Sequence, residues 1–455
     1  MGQVTFRKSV QAAQYLDPKS VKENFKKSKH LGDGSDGIVV LYTNRRFPDQ
    51  NIAVKYSESR SRNKRIHDEI AIMRKIGNKQ DNVVKLLGWD DQWTPHIPAL
   101  FYEYCAFGDL YNYREEVLES FGLKKVPELT LWKAFSDITK ALYYINNRFD
   151  YPLIHGDIKP ANILVSNIPG RSDDDISMLP IFKLADFGRA LEHRPEPKES
   201  HRFQGTFEFA PGPEERKLPT PALDVFGLGA TLQWFAYGKS PTQRHIDFVN
   251  DLRAIGCQGK QLPILVDGEM EHEEHKKWRE FIPVVYRPLN ATVVDQCKLW
   301  GVSENNAIKR PYGDLLNCWY RRCMEASIKK RVTVAELMET LVPLAESEIE
   351  RLSEDSESEA SSDEEDSQPN ENEASSNESE SFSNGNQDSS NESLKKSSPR
   401  KAKSALPKKT HHATQAFPQR KKGGSNHRKK ASTPPPYEVG HRRLLTRIPR
   451  RVFSP

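Results

Sequence analysis

Two stretches of this 455-residue chain hold residue types whose spacing could do chemistry. Residues 153–165, Leu-Ile-His-Gly-Asp-Ile-Lys-Pro-Ala-Asn-Ile-Leu-Val, place Asp157, Lys159 and Asn162 in a short loop between an apolar pair and an apolar run. A carboxylate, an ammonium and an amide are thereby held between two buried anchors. Upstream, Leu31-Gly32-Asp33-Gly34-Ser35-Asp36-Gly37-Ile38-Val39 spaces three glycines as GxGxxG. Glycines let backbone amides approach phosphate oxygens with no side chain between. The same spacing marks dinucleotide-binding folds, where the third glycine opens a helix. Here the β-branched, apolar residues 38–42 predict the second strand of a hairpin instead, so the context favours a flap over phosphates.

The loop at 153–165 resembles the catalytic loop of eukaryotic protein kinases of the Ser/Thr type, with His-Gly-Asp where most members carry Arg before the Asp. The resemblance implies that Asp157 orients the substrate hydroxyl, Lys159 neutralises the transferring phosphate and Asn162 holds a magnesium ion. Further matches follow in chain order. Residues 51–55, Asn-Ile-Ala-Val-Lys, resemble the strand whose Lys contacts nucleotide phosphates. The helical periodicity of 66–76 sets Glu69 beside its apolar face, and Lys55 with Glu69 would form the ion pair of an assembled active site. Asp186-Phe187-Gly188 follows a predicted strand and supplies the second metal-binding carboxylate. Residues 205–214 resemble the end of an activation segment with Gly212 inserted, so that either Glu214 or Glu215 would pair with Arg331. Asp224 would accept hydrogen bonds from the catalytic-loop backbone, because a buried Asp needs such donors. By position alone, Tyr102 is the gatekeeper and the backbone of Glu103 and Cys105 meets adenine. The implied ATP site comprises residues 31–39 with Ala53, Lys55, Glu69, Glu103 and Cys105. ATP and Mg2+ are the implied cofactors, and Met73, Leu86, His155 and Phe187 the apolar spine between lobes.

The elements needed to position these groups make an α+β, bilobal protein-kinase-like fold. It has a small antiparallel β-sheet lobe with one key helix, a larger helical lobe and a disordered C-terminal tail. The reading divides the chain into a lead-in at 1–23 and a kinase domain at 24–345, with the small lobe ending near 105 and the large lobe at 106–345. An acidic Ser-rich disordered segment at 346–392 and a basic Pro-containing one at 393–455 follow. Strands are expected at 82–88 and 99–105, helices at 131–147, from 223, at 315–324 and at 332–344. A polar surface loop fills much of the interval between Asn162 and Asp186. Residues 240–310 carry Trp278, Phe281 and Trp300, enough apolar material to fold, without a legible motif.

Composition sets further bounds. No apolar run of about 18 residues exists to span a bilayer, and residues 1–9 lack the core of a signal peptide. Phe6 stands where a myristoylation pattern on Gly2 wants Ser or Thr. The five cysteines are an odd count without zinc-site spacing, as expected of reduced thiols in a cytoplasmic or nuclear protein. The net charge of +5 hides a diblock tail: residues 346–392 hold 17 acidic and one basic residue, residues 393–455 hold 18 basic and one acidic. Such composition cannot repay the entropy of ordering.

Short matches lie in that tail. Ser356, Ser361 and Ser362 each precede an acidic residue at the third position, as acidophilic kinases favour. Pro434-Pro435-Pro436-Tyr437 resembles the PPxY ligand of WW domains. The basic clusters from Lys395 onward suit a nuclear import receptor, against the rival that they fold back on the acidic block. Protein substrates are expected, a membrane or specific nucleic-acid partner is not.

The activity so implied is ATP-dependent transfer to Ser or Thr hydroxyls. The competing class is a pseudokinase acting as a binding scaffold, since a complete motif set does not establish turnover. Two departures bear on this. Gly156 removes the Arg that grips an activation-loop phosphate, which predicts no requirement for that phosphorylation. Asp33 and Asp36 put negative charge in the glycine loop, where they would repel a triphosphate unless they point outward.

Overall fold

A computed structural model describes residues 15–34, 37–57, 59–168, 170–171, 176–195 and 202–365. The chain enters through α1 (Pro18–Asn24), capped by Asp17, whose carboxylate accepts the Ser20 N–H at 3.0 Å. The small lobe follows as β1 (Phe25–Asp33), β2 (Ile38–Asn44), β3 (Asn51–Tyr56), α2 (Asn63–Ile76), β4 (Leu86–Thr94) and β5 (Ile97–Glu103). Its five strands are antiparallel in the order β1-β2-β3-β5-β4.

The large lobe contains α3 (Leu110–Ser120), α4 (Glu128–Asn147), β6 (Leu153–Ile154), β7 (Ile163–Ser166), β8 (Ile181–Leu184) and β9 (Leu191–Glu192). Then come α5 (Pro213–Lys217), α6 (Pro221–Tyr237), α7 (His245–Ala254), α8 (His272–Trp278), α9 (Val293–Trp300) and α10 (Asp314–Cys323). The last helical stretch is α11 (Val334–Glu336), a π-turn at Leu337–Leu341 and α12 (Val342–Glu365).

The hydrophobic pattern explains how α2 is held. Ile66, Ile70, Met73 and Ile76 recur at helical spacing and are buried, with Glu69 on the same buried side. α4 and α6 are sunk in the large lobe; α6 is apolar all round and nearly every residue of it is buried. Phe248, Leu252, Cys257, Met270, Trp278 and Ile282 form a separate small core, which accounts for the stretch without a motif.

The lead-in packs on the small lobe: Leu16 donates its N–H to Leu87 O at 2.6 Å, and Val21 is fully buried against the sheet. Three expectations are corrected. The strand expected at 82–88 begins only at Leu86, because Val83 bridges to Leu184 and Val84 donates to Leu184 O, tying that segment to the large lobe instead. Order does not stop at 345. α12 continues to Glu365, with Ile349 and Leu352 packed on the main core and Glu346 bound to Lys140 at 2.8 Å; two apolar side chains one turn apart suffice to dock it. Helix also begins before 131, at Glu128. Strands β7 and β8 pair on either side of the expected loop, of which residues 169 and 172–175 lie outside the described residues; its return leg is fastened by Tyr113 Oη and Thr130 Oγ1 donating to Ser177 O and Met178 O, each at 2.7 Å. Residues 366–455, including the PPxY and basic motifs, lie outside the described residues.

Candidate active site

A cleft of about 1160 Å³ opens between the lobes, and most of the expected site residues line it. β1 and β2 roof it as a hairpin, pairing Gly32 with Val39 and Asp33 with Ile38, while Gly34 donates to Gly37 O at 2.8 Å. The hairpin reading of the glycine spacing therefore holds. Gly37 is fixed by packing, since a Cβ there would lie 2.4 Å from Tyr56 O. At Gly32 nothing lies within 4 Å, so that glycine keeps space open. Asp33 turns to His30, with Oδ1 3.0 Å from Nε2, and is exposed. Ser35 and Asp36 lie outside the described residues.

β3 presents Lys55 and Ala53 to the cleft. The buried Lys55 ammonium donates to Glu69 Oε2 and to Asp186 Oδ1, each at 2.7 Å. Tyr102 Oη donates to the other Glu69 oxygen at 2.7 Å, a partner that no sequence signal indicated. Burial alone would make Lys55 easier to deprotonate; Asp186 and Glu69 reverse that and raise its pKa above the ordinary value. Burial pushes the Asp186 carboxyl up, but the Lys55 charge and hydrogen bond override it and hold the group well below the usual range. Asp186 takes a left-handed backbone conformation, φ 63°, which turns the chain into the Phe187 plug. Phe187 is fully buried, its ring 4.8 Å from that of His155; Met73, Leu86 and His155 are likewise fully buried.

In the catalytic loop, Asp224 of α6 accepts the N–H groups of His155 and Gly156 at 2.7 and 2.8 Å, as its burial requires. Burial pushes its carboxyl up to about 7, against those two bonds. The His155 ring lies between Ala185 O, 2.9 Å from Nε2, and the Asp157 N–H, which donates to Nδ1 at 3.2 Å; this arrangement puts the proton on Nε2. Asp157 Oδ1 accepts the Thr206 N–H at 2.7 Å, and Oδ2 lies 3.0 Å from Lys159 Nζ and 3.2 Å from Asn162 Nδ2. Asn162 also donates to Asp157 O at 2.8 Å, and Lys159 donates to Thr206 Oγ1 at 2.9 Å. The triad is thus one hydrogen-bonded unit extended by Thr206.

Gly156 has φ +77°, a conformation that disfavours any side chain, and a Cβ on Gly205 would lie 2.1 Å from Gly156 O. The two glycines let the activation segment lie directly on the catalytic loop. Arg189 adds a tie, donating to Gln204 O with Nη1 3.7 Å from Asp157 Oδ2.

Two expected nucleotide contacts do not reach the cleft: Ile38 sits in the hairpin, and Glu69 is wholly buried behind Lys55. At the connection between lobes, the Glu103 N–H is committed to Lys85 O at 3.1 Å and its carboxylate to Lys183 at 3.0 Å; of its backbone groups only the carbonyl is left for a ligand. Burial pushes the Cys105 thiol up to about 12, so it is inert as a nucleophile.

The open choice at the inserted glycine resolves to Glu215, bound by Arg331 at 2.6 and 3.0 Å. Glu214, one position nearer the N-terminus of α5, points to solvent and meets Lys217. No helix among the described residues is long and apolar enough to cross a membrane.

The family described as "Protein kinase domain" matches residues 25–342. A serine/threonine-protein kinase chk-1 of Caenorhabditis briggsae is 27% identical over 238 residues, 50% of this chain and 44% of that protein. A probable L-type lectin-domain containing receptor kinase VI.1 of Arabidopsis thaliana is 28% identical over 241 residues, 52% of this chain and 32% of that one. The chain spans less than half the length of these curated relatives.

Proposed function

The chain belongs to the protein kinase domain family, and on that premise we propose that it is an ATP-dependent protein serine/threonine kinase. One observation carries the reading: Lys55, Asp157, Lys159, Asn162 and Asp186 line a single cleft, each held by a named partner. Phosphoryl transfer needs little covalent help and much positioning and charge stabilisation. Lys55 would hold the α and β phosphates. Asp157, gripped by three donors, would orient the acceptor hydroxyl and take its proton, and Lys159 would offset charge on the transferred group.

Two side chains suit a magnesium ion. Asp186 commits Oδ1 to Lys55 and Asn162 commits Nδ2 to Asp157, which leaves one hard oxygen on each. Magnesium typically takes one or two protein oxygens plus substrate phosphates, so the pair fits, and the ion would shield the phosphates' negative charge.

The reading includes independence from activation-loop phosphorylation, supported by contacts that seat the segment without a phosphate: Thr206 on Asp157 and Lys159, Gly205 on Gly156, and Arg189 on Gln204. It also takes the basic segment 393–455 as a nuclear import signal and residues 434–437 as a WW ligand, on their composition alone. Deleting 393–455 should then shift a tagged chain out of the nucleus.

The test is incubation of the phosphatase-treated full chain with γ-labelled ATP, magnesium and mixed peptides, followed by phosphoamino-acid analysis. Labelled phosphoserine and phosphothreonine are expected. Absence of label would favour the scaffold reading, and label confined to phosphotyrosine would overturn the acceptor class.

A further inference from the structure

Phe207 follows directly on Thr206, the residue bonded to Asp157 and Lys159. Two guanidinium groups flank its ring: Arg216 of α5 at 4.7 Å and Arg279 just beyond α8 at 5.3 Å. Neither has a carboxylate within ion-pair distance among the described residues. Arg216 donates to the Glu280 carbonyl, and its Nε is buried with no hydrogen-bond partner. Arg279 is exposed and lines the cleft together with Gly205 and Thr206. A half-buried cation without an ion pair is less well solvated than one in water, and an anion brought near it repays part of that cost.

Other charged groups face this place. Glu208 lines the same wall, with Oε2 buried and unpartnered. His275 senses both Glu208 and Arg279, and burial lowers its pKa, which keeps it neutral near pH 7. The charges at this place are the Arg216 and Arg279 guanidinium groups and the Glu208 and Glu280 carboxylates, and Arg279 is exposed on the cleft side.

Resting on the kinase reading, we infer that Arg279, backed by Arg216 across the Phe207 ring, selects protein substrates carrying an acidic residue close to the acceptor Ser or Thr. The acidic side chain would pair with Arg279 at the cleft edge, while the Phe207 ring holds that guanidinium in place and Arg216 adds positive potential behind it. The sequence of this chain offers one such substrate: Ser379 stands between Glu378 and Glu380 in the acidic block.

The experiment uses the purified full chain and Ser peptides with Glu, Ala or Lys placed singly on either side of the acceptor. Transfer from γ-labelled ATP gives kcat and KM; fluorescence anisotropy gives peptide binding separately. At one or more positions Glu should lower KM roughly five-fold against Ala, the upper range for a partly exposed ion pair. Arg279→Glu, at an exposed position and with unchanged Tm as the check on folding, should invert the ranking so that Lys peptides bind best. Equal KM for all peptides, or a preference for Glu that survives Arg279→Glu, overturns the inference while leaving the kinase reading intact. Peptide binding that follows Arg279 without any transfer supports the inference and overturns the enzyme.

Discussion

Lys55–Glu69 in the small lobe and Arg331–Glu215 in the large lobe are both buried ion pairs between different elements, yet they are completed differently. Arg331 is closed on every side: it grips both Glu215 oxygens, donates to Ala222 O and Glu325 O at 2.8 Å each, and lies 4.9 Å from the centre of the Phe226 ring. Lys55 has one face on Glu69 and shares its ammonium with Asp186 at the cleft. The first arrangement leaves nothing for a ligand to add. The second holds two carboxylates on one cation, an excess of negative charge that favours an incoming cation. Buried pairs are therefore not equivalent: a saturated one braces the fold, and an unsaturated one prepares chemistry.

This contrast can be broken at four points. Arg331→Met should have the largest effect on stability, about 3–5 kcal/mol by stranding Glu215, read as a fall in urea midpoint. Lys55→Met should cost roughly 100- to 1000-fold in kcat as a lost electrostatic donor while the urea midpoint moves less than for Arg331→Met; a reversed order of the two midpoints would erase the distinction. Third, Asp224 has its carboxyl raised to about 7 by burial, so the folded chain retains a proton that the unfolded chain loses near pH 4. Its own contribution to stability therefore declines as pH rises from about 4 to 7, by up to about 1.4 kcal/mol per pH unit, and is level above. Asp224→Asn should remove that slope from a plot of unfolding free energy against pH. Smallest is Glu214→Ala, within about 0.5 kcal/mol for an exposed pair; a loss as large as that of Glu215→Ala would return the buried pair to Glu214.

Most of this site was legible in the sequence because its groups come in short runs with fixed spacing. The loop at 153–165, Lys55 on its strand and Asp186 before Phe187 each carried a pattern that the fold brings to one cleft, and Glu69 on its helix one that the fold sets behind Lys55. The choice between Glu214 and Glu215 could not be read, since an inserted residue shifts register and only burial decides which carboxylate turns inward. Tyr102 Oη on Glu69 and Lys183 on Glu103 were invisible because they join strands by tertiary approach, with no local spacing to mark them. The sequence also made Gly156 look like a missing Arg, whereas its positive φ, with Arg189 O 3.3 Å from where a Cβ would stand, favours glycine there. The extension of α12 past 345 was obscured by acidic composition, which outweighed the helical spacing of Ile349 and Leu352.

The most direct test of the central claim compares the native chain with Asp157→Asn in transfer from γ-labelled ATP, both at matched Tm and matched nucleotide binding. The account predicts a fall of roughly 100- to 10,000-fold from loss of the base, with ATP still bound. Equal incorporation by the two proteins would contradict it.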